Sequence, residues 1–587
     1  MPRPIASTRI VVRIADSLDR EEIYRQRHEI YARELGQHAP NGSCALRDPL
    51  DEFNVYLVAS RNGTIAGFIS ITPPDRQSYS VDKYLGRADF PELLDDRLYE
   101  VRLLTVMDQY RGSEVAFLLM YSALRWVESQ AGERIVAIGR REVLDLYLHV
   151  GLGRLGHAMQ SGAVNYELLT ATVAALNTRL RNFTPLLNRL ERTVDWRLHF
   201  PFRKPAACFH GGAFFEAIGP EFDRLERRHE IINADVLDAW FSPSPKVLAA
   251  LQKELPWLLR TSPPTGCEGL VQTIARVRGV PAECVLPAGG SSDAIFLALR
   301  HWLNPGSRVL ILDPTYGEYA HVLEQVVRCR VDRLTLSRSD GYQLDLDEFE
   351  RFASRGYDLI VLVNPNSPTG RHLPRAQLES VLRRVPSATR VWLDETYVEY
   401  AGPNESLEQF AAKSANVVVC KSMSKVYALS GVRVAYLCGP PSVIEELRAI
   451  TPPWAVSLPG QVAAVAAIQD PEYYAARYVQ THRLREQLAK QLAAFENWEI
   501  IPGVANFLLC HLPKGALDAA MLVKRCRAHG LFLRDIGAMG RHIGAHAIRI
   551  AVKDSATNRQ MVEILFQAKN RLAPKHKSLP SLEPASV

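Results

Sequence analysis

KSMSKVYALSGVRVAY, residues 421–436, decides the reading of this chain. Lys425 stands beside Ser422 and Ser424, with Arg433 eight positions further on. A lone lysine after a strand is ordinarily a solvated surface charge. Here small hydroxyls and a cation flank a reactive amine. That set suits a phosphate-bearing aldehyde: the amine bonds the carbonyl carbon and the others hold the phosphate.

The neighbours of this segment agree with it. Asp394 and Tyr397 follow the apolar stretch RVWL, and the end of such a strand is where α/β sheets bind ligands. A carboxylate there can keep a pyridine nitrogen protonated, and a tyrosine hydroxyl can bond the ring's phenolic oxygen. PAGGSSDAIFLALR (287–300) places Gly290, Ser291 and Ser292 at a helix start, where backbone N–H groups and the helix dipole favour an anion. NPNSPTG (364–370), with Asn366 and Ser367, is a Pro/Gly turn after another strand. DPTYGEY (313–319) puts Tyr316 on a loop, free to stack on a flat ring. HAIRIAV (546–552) buries Arg549 in an apolar strand, and an arginine there wants a planar anionic partner such as a carboxylate.

Further out, RVLILD (308–313), DLIVLVN (358–364), RVWLDE (390–395), NVVVCKS (416–422) and VRVAYLCG (432–439) are near-continuous apolar runs between helical segments. Such runs suit a parallel sheet covered on both faces. The first third reads differently. NVYLVAS (54–60) and TIAGFISIT (64–72) flank Arg61-Asn62-Gly63, a hairpin signal. LYEVRLLTV (98–106) and IVAIG (135–139) are strands, VAFLLMYSALRWVES (115–129) is an amphipathic helix, and a helix from 142 stops at Gly151. We expect domains at 1–170 and 231–572, a helical connection and arm over 171–230, and a disordered tail over 573–587.

Composition narrows the classes. The 587 residues are 47% apolar and 23% charged, ordinary for a globular protein. A net charge of +6 over this length gives no case for nucleic acid, which wants a clustered basic stripe. Nine scattered cysteines with no CxxC pair argue against a disulfide framework or a zinc site, and we expect no metal. No signal-like start and no run of the ~18 apolar residues a membrane helix needs are present, so the expected location is cytoplasmic.

On these motifs, in this order and spacing, residues 208–572 resemble the fold-type I pyridoxal-phosphate (PLP) aminotransferases. The likeness is strongest to the branch holding histidinol-phosphate aminotransferase and threonine-phosphate decarboxylase. The resemblance implies Lys425 as the Schiff-base lysine, Asp394 as partner of the pyridine nitrogen and Tyr397 as partner of the phenolic oxygen. It implies that Ser422, Ser424, Arg433 and Gly290-Ser291-Ser292 hold the phosphate. Tyr316 would stack, Asn366 or Ser367 would reach the ring, and Arg549 would anchor a substrate carboxylate, with Asn506 and Arg534 at further family positions. Two departures bear on substrate and reaction: Ser367 stands where members often carry asparagine, and Thr261-Ser262 where they often carry an Arg-Tyr-Pro segment lent to the other subunit. The resemblance implies a homodimer.

QYRGSEVAFLLMYSAL (109–124) and EVLDLYLHVGLGRLG (142–156) resemble the GNAT acyltransferases, over about residues 10–169. RHEIYARELGQ (27–37) adds a likeness to the branch that makes N-acyl amino acids and acyl-homoserine lactones. The resemblance implies that Arg111 and Gly112 cradle a pyrophosphate, Tyr147 protonates the leaving thiolate and Glu100 acts as base. Glu114 replaces the second glycine of the family loop, which leaves a carrier-protein donor, weak CoA binding or a degenerate domain open. The expected fold is α/β: an N-terminal GNAT-like mixed α/β domain, then a fold-type I PLP enzyme with a large parallel-rich sheet domain and a small α/β domain. The leading expectation is amino-group transfer on a small amino acid or amine, with acyl-CoA or acyl carrier protein as acyl donor for the first domain. The rivals are a PLP decarboxylase whose amine product is acylated, and a GNAT domain that only docks.

Overall fold

The computed structural model describes residues 9–74, 78–90, 93, 97–204, 208, 210–219, 221–515 and 517–570. The chain divides into two compact units, Met1–Pro205 and Ala206–Val587. The tail expected over 573–587 lies outside the described residues.

The first unit is built on an eight-stranded sheet. Its strands are β1 (Ile10–Ile14), β2 (Val55–Arg61), β3 (Thr64–Thr72), β4 (Leu98–Val106), β5 (Arg134–Arg140), β6 (Gly153–Ser161), β7 (Val164–Thr172) and β8 (Val194–Trp196). They lie in the order β6-β7-β5-β4-β3-β2-β1-β8. The β2–β3 hairpin turns through Asn62 at φ +52° and Gly63 at φ +80°, the left-handed pair its sequence demands. Helices α1 (Ser17–Arg27), α2 (Val115–Ser129), α3 (Leu144–Val150), α4 (Val173–Leu180) and α5 (Thr184–Thr193) complete the unit. Val115, Leu118 and Leu119 of α2 bury against Leu57, Ala59 and Ile69 of β2 and β3.

The connection expected over 171–230 is corrected here. Leu176 of α4, Leu187 and Leu190 of α5 and Val194 of β8 all enter the core under α2, and β8 pairs in parallel with β1. Residues up to 205 therefore belong to the first unit, because their apolar stripes have a core to bury in.

β4 and β5 are the parallel pair at the centre. Their ladder holds Leu98↔Arg134, Tyr99↔Ile135 and Glu100↔Val136 and stops there, although β4 runs on to Val106. Leu103 sits at φ +56° just beyond the last pair, and the β3–β4 register shifts between Phe68 and Ser70. A bulge bends its strand, and here the two strands splay.

The second unit has a seven-stranded sheet of β10 (Val285–Ala288), β11 (Arg308–Asp313), β12 (Arg330–Thr335), β13 (Leu359–Val363), β14 (Arg390–Asp394), β15 (Val417–Ser422) and β16 (Ala435–Cys438), in the order β10-β16-β15-β14-β13-β11-β12. β11 to β15 are mutually parallel. β16, from the run 432–439, is antiparallel to both its neighbours. Alternate residues go to opposite faces and both faces are covered: Leu310, Ile360 and Val391 enter one core, Val309, Leu359 and Trp392 the other. Asp394 and Ser422 end their strands at the same edge as the loop after β13, the edge where such sheets place ligands. A short pair joins β9 (Ile232–Asn233) to β19 (Leu531–Phe532). A second, antiparallel sheet joins β17 (Glu499–Ile501), β18 (Phe507–His511), β21 (Ala547–Ala551) and β20 (Arg534–Asp535).

Candidate active site

In the second unit the helix Ser291–Trp302 starts after Gly290, at φ +110°. A Cβ at Gly290 would collide with the guanidinium of Arg433, so the helix start and the loop after β15 touch. Arg433 Nη1 donates to the Ser430 carbonyl at 3.1 Å, and Ser430 Oγ lies 3.1 Å from the Ser424 carbonyl. Ser422 and Ser424 are buried beside them. The start of that helix and the Arg433 guanidinium thus adjoin, with two buried serines in the same loop, a donor set that suits an anion. Ser292 Oγ donates to Glu318 at 2.9 Å.

Lys425 follows directly. Its Nζ donates to Asp238 Oδ1 at 2.8 Å, and Ser430 Oγ donates to the same oxygen at 2.7 Å. Lys553 Nζ reaches the Asp238 carbonyl at 3.5 Å. Burial lowers the Lys425 ammonium, with Asp238 opposing and Arg549 and Arg433 adding to the shift. Burial brings Lys553 to about 8. Asp238 and Lys553 were not among the residues expected from the sequence.

Asp394 is 3% exposed and ends β14. Its Oδ2 accepts from Tyr319 Oη at 2.7 Å, and its Oδ1 from the Thr396 amide at 2.9 Å and hydroxyl at 2.7 Å. Every one of these donors is neutral, and burial raises the carboxyl. Tyr397 is buried, edge-on to Phe507, and burial raises its hydroxyl. Tyr316 Oη lies 3.1 Å from His210 Nδ1. Asn366 spends its amide on the loop, donating to the Pro314 carbonyl at 3.0 Å and Thr369 Oγ1 at 3.1 Å.

Arg549, on β21, is 5% exposed. Nη1 donates to Ser367 Oγ at 3.0 Å and Nη2 to the Asp235 carbonyl at 3.2 Å, while Nε is buried without an acceptor. Burial lowers this guanidinium to about 10. Ser367, where an asparagine was the family expectation, therefore orients the arginine. Arg534 pairs with Asp235 at 2.7 Å and donates to the His210 carbonyl. Asn506 is fully buried, donates to the Leu237 carbonyl at 3.0 Å and leaves its Oδ1 without a partner. A buried carboxylate with neutral hydrogen-bond donors, a buried guanidinium with neutral acceptors and a helix start against Arg433 fit PLP with a carboxylate-bearing substrate.

In the first unit a cavity of about 560 Å³ occupies the β4–β5 splay. Arg111, Gly112 and Tyr147 line it, so three of the four residues expected there come together. Gly112 is at φ +78°, and Arg111 pairs with Glu34 at 2.9 Å. Burial raises the Tyr147 hydroxyl. Glu114 forms an ion pair with Arg189. Glu100 is the correction. It is fully buried, lies outside the cavity wall and accepts from the Ser80 amide at 2.7 Å, the Val81 amide at 3.0 Å and Ser80 Oγ. Its oxygens fasten the turn at 80–83, so it is not placed to take a proton from a substrate.

Comparison with known proteins follows this division. Residues 234–565 match the family model for aminotransferase class I and II, and residues 18–151 that of the acetyltransferase (GNAT) family. Histidinol-phosphate aminotransferase of Rhodopseudomonas palustris is 28% identical over 330 residues, 55% of this chain and 87% of that protein. Histidinol-phosphate aminotransferase 2 of Gluconobacter oxydans is 31% identical over 301 residues, 50% of this chain and 81% of that protein. The solved histidinol-phosphate aminotransferase of Sinorhizobium meliloti, in complex with pyridoxal-5'-phosphate, superposes with a TM-score of 0.54 at 24% identity, covering 63% of this chain and all of that one. The aminotransferase model thus spans more than half of the chain, and this chain belongs to that family: it is a PLP-dependent class I and II aminotransferase of fold type I, preceded by a GNAT-family unit.

Proposed function

We propose that the second unit transfers an amino group from a carboxylate-bearing donor, and that the first unit acylates an amine with an acyl-CoA or acyl-carrier-protein thioester. The observation that carries the first part is the pair of buried charges, Asp394 and Arg549, whose hydrogen-bond partners are neutral. When bound, PLP supplies an electron sink for charge that develops at the substrate Cα. Gly290, Ser291, Ser292, Ser422, Ser424 and Arg433 hold its phosphate. Asp394 holds a proton at the ring nitrogen, and removing its charge removes the reason for that proton to stay. Tyr397 donates to the phenolic oxygen, and Tyr316 covers the ring. Arg549 orients the substrate through its α-carboxylate. Lys425 Nζ, with its basicity lowered by burial, is the base for the Cα proton. Asp238 steadies that amine whenever it is protonated.

In the first unit the amides at Arg111–Ser113 face the donor's pyrophosphate, and the amine nitrogen attacks the thioester carbonyl. The C–S bond breaks, and the thiolate takes its proton from Tyr147. The amine's proton leaves to solvent.

The test is borohydride treatment of the PLP-loaded full chain, which should fix the cofactor on Lys425. Asp394→Ala should still be fixed there while losing about 10³-fold in amino transfer, the scale of losing a directed electrostatic partner. Fixation on another lysine would refute the assignment. Product mass spectrometry with and without an acyl-CoA separates amino transfer, decarboxylation and acylation.

A further inference from the structure

One short segment of the second unit reaches the cofactor site at three points. It is DPTYGEY, 313–319, which runs on from the end of β11. Tyr319 Oη donates to Asp394, the expected partner of the ring nitrogen. Glu318 Oε2 accepts from Ser292 Oγ at 2.9 Å, at the helix start expected to take the phosphate. Tyr316, expected to cover the ring, stands edge-on to Tyr319 with the ring centroids 5.9 Å apart. A further group meets this segment from a distant part of the chain. His210 Nδ1 lies 3.1 Å from Tyr316 Oη, and His210 Nε2 lies 3.4 Å from Glu318 Oε2. The backbone of His210 is itself held. Its carbonyl accepts from Arg534, which pairs with Asp235, and the Gly212 amide donates to Asp235 Oδ2 at 3.2 Å. A Cβ at Gly211, φ +90°, would collide with both Arg534 and Asp235.

The cluster is short of donors. The Glu318 side chain is fully buried, and its Oε1 has no hydrogen-bond partner. His210 Nε2 faces a carboxylate, which can only accept, so Nε2 carries the imidazole proton. Nδ1 then accepts from Tyr316. Burial raises that hydroxyl well above its ordinary value, with Glu318 adding to the shift, so it remains a donor. Ser292 has one hydroxyl proton and spends it on Glu318. A phosphate at the helix start competes for that same proton. Once Ser292 turns to the phosphate, Glu318 loses its hydrogen bond, and a buried carboxylate without a donor is costly. An unanswered carboxylate beside the helix start also repels the phosphate. The N–H of His210 Nε2 is the donor that stands ready for it.

We propose that His210 is a positioning residue for the cofactor: it fixes Tyr316 across the ring and takes up Glu318 when Ser292 turns to the phosphate. The proposal rests on the PLP reading of the second unit. His210 acts through Tyr316 at one end of the cofactor and through Glu318 and Ser292 at the other. A single imidazole therefore ties the grip on the ring to the grip on the phosphate. It stands before the residues that match the aminotransferase family, 234–565, in the stretch that leads into that fold. Arg534 and Asp235 serve here to hold that stretch in place.

The test titrates PLP into the full chain and reads two signals. Absorbance of the bound cofactor gives its affinity, and visible circular dichroism reports how the ring is held. His210→Ala should weaken PLP binding by about tenfold, the scale of a hydrogen bond to a charged group, and reduce the dichroism per bound cofactor. His210→Gln, whose amide can donate to Glu318 and accept from Tyr316, should recover most of both. Tyr316→Phe and Glu318→Gln each remove one arm of the contact. In the chain carrying both, adding His210→Ala should change PLP affinity by less than about twofold, because an effect that needs its partners vanishes without them. A tenfold loss that persists in that background overturns the proposal, as does wild-type affinity and dichroism in His210→Ala. No recovery in His210→Gln, with a lowered melting temperature of the PLP-free His210→Ala chain, makes the residue merely structural and overturns it too. Borohydride separates this from the PLP reading. If the wild type is fixed on Lys425, failure of the His210 variants touches the positioning role alone; if the wild type takes up no PLP, both fall.

Discussion

The two units solve the placement of a reactive group in opposite ways. The second gathers loops at one edge of a continuous parallel sheet and leaves two buried charges, Asp394 and Arg549, with neutral hydrogen-bond partners. The first interrupts its sheet, and a cavity lies at the gap between β4 and β5. Two buried carboxylates make the contrast concrete. Asp394 and Glu100 are equally deep, and each accepts from neutral donors, Asp394 from Tyr319 and Thr396 and Glu100 from Ser80 and Val81. They differ in place: Asp394 ends its strand at the sheet edge where ligands bind, whereas Glu100 fastens the turn at 80–83 outside the cavity wall. Depth alone does not mark a functional acid; what matters is where its strand delivers it.

This contrast can be broken most sharply at Lys425. Lys425→Ala should abolish amino transfer, by about 10⁴-fold or more, because base and covalent partner go together. Acyl transfer should be unaffected, since separately folded units have separate cores. Parallel loss of both activities would show that the sites are coupled. Tyr147→Phe should slow acyl transfer by about 10²–10³-fold, within the range of a lost general acid, with amino transfer unchanged. Unaltered acyl transfer would remove Tyr147 from the chemistry.

Glu100→Gln sharpens the comparison from the other side. Acyl transfer should change by only about threefold, while stability falls by about 1–3 kcal/mol because buried donors lose their acceptor. A large loss of rate at unchanged melting temperature would restore Glu100 as a base. The smallest expected effect concerns Lys553. Its ordinary value is 10.5 and burial brings it to about 8, so the fold disfavours the charged form. The penalty is complete below about pH 8 and fades as pH rises towards the unfolded value. Lys553→Met should therefore raise the melting temperature at pH 7 by a few degrees, with the gain shrinking at pH 9–10. A gain independent of pH would mean that packing, not charge, is responsible.

Much of this was legible in the sequence, for identifiable reasons. The parallel strands showed as apolar runs because both faces are buried, and the hairpin at Asn62-Gly63 showed because positive φ restricts residue choice. The cofactor segment was legible because its chemistry sits within thirteen residues of backbone, 421–433. The β6–β7 hairpin was missed because β6 alternates only weakly and is largely exposed. The three-residue β8 was missed because it has no pattern of its own and exists only by pairing with β1. Asp238 was missed because nothing local marks it; it meets Lys425 from 187 positions away and Lys553 from 315. Glu100 was misplaced because its strand position says nothing about the turn at 80–83 that closes over it.

The splay between β4 and β5 has one more consequence. A sheet normally exposes unpaired backbone only at its rim, where it invites other chains. Here the ladder ends at Glu100↔Val136, so a strand edge lies inside an eight-stranded sheet, walled by the cavity and out of reach of another chain. Amides of β4 turned towards β5 beyond that pair should exchange with deuterium far faster than those turned towards β3, though both belong to one strand. A bound acyl donor or acceptor lying along the gap should slow them, so exchange at these few positions reads occupancy directly, without any turnover.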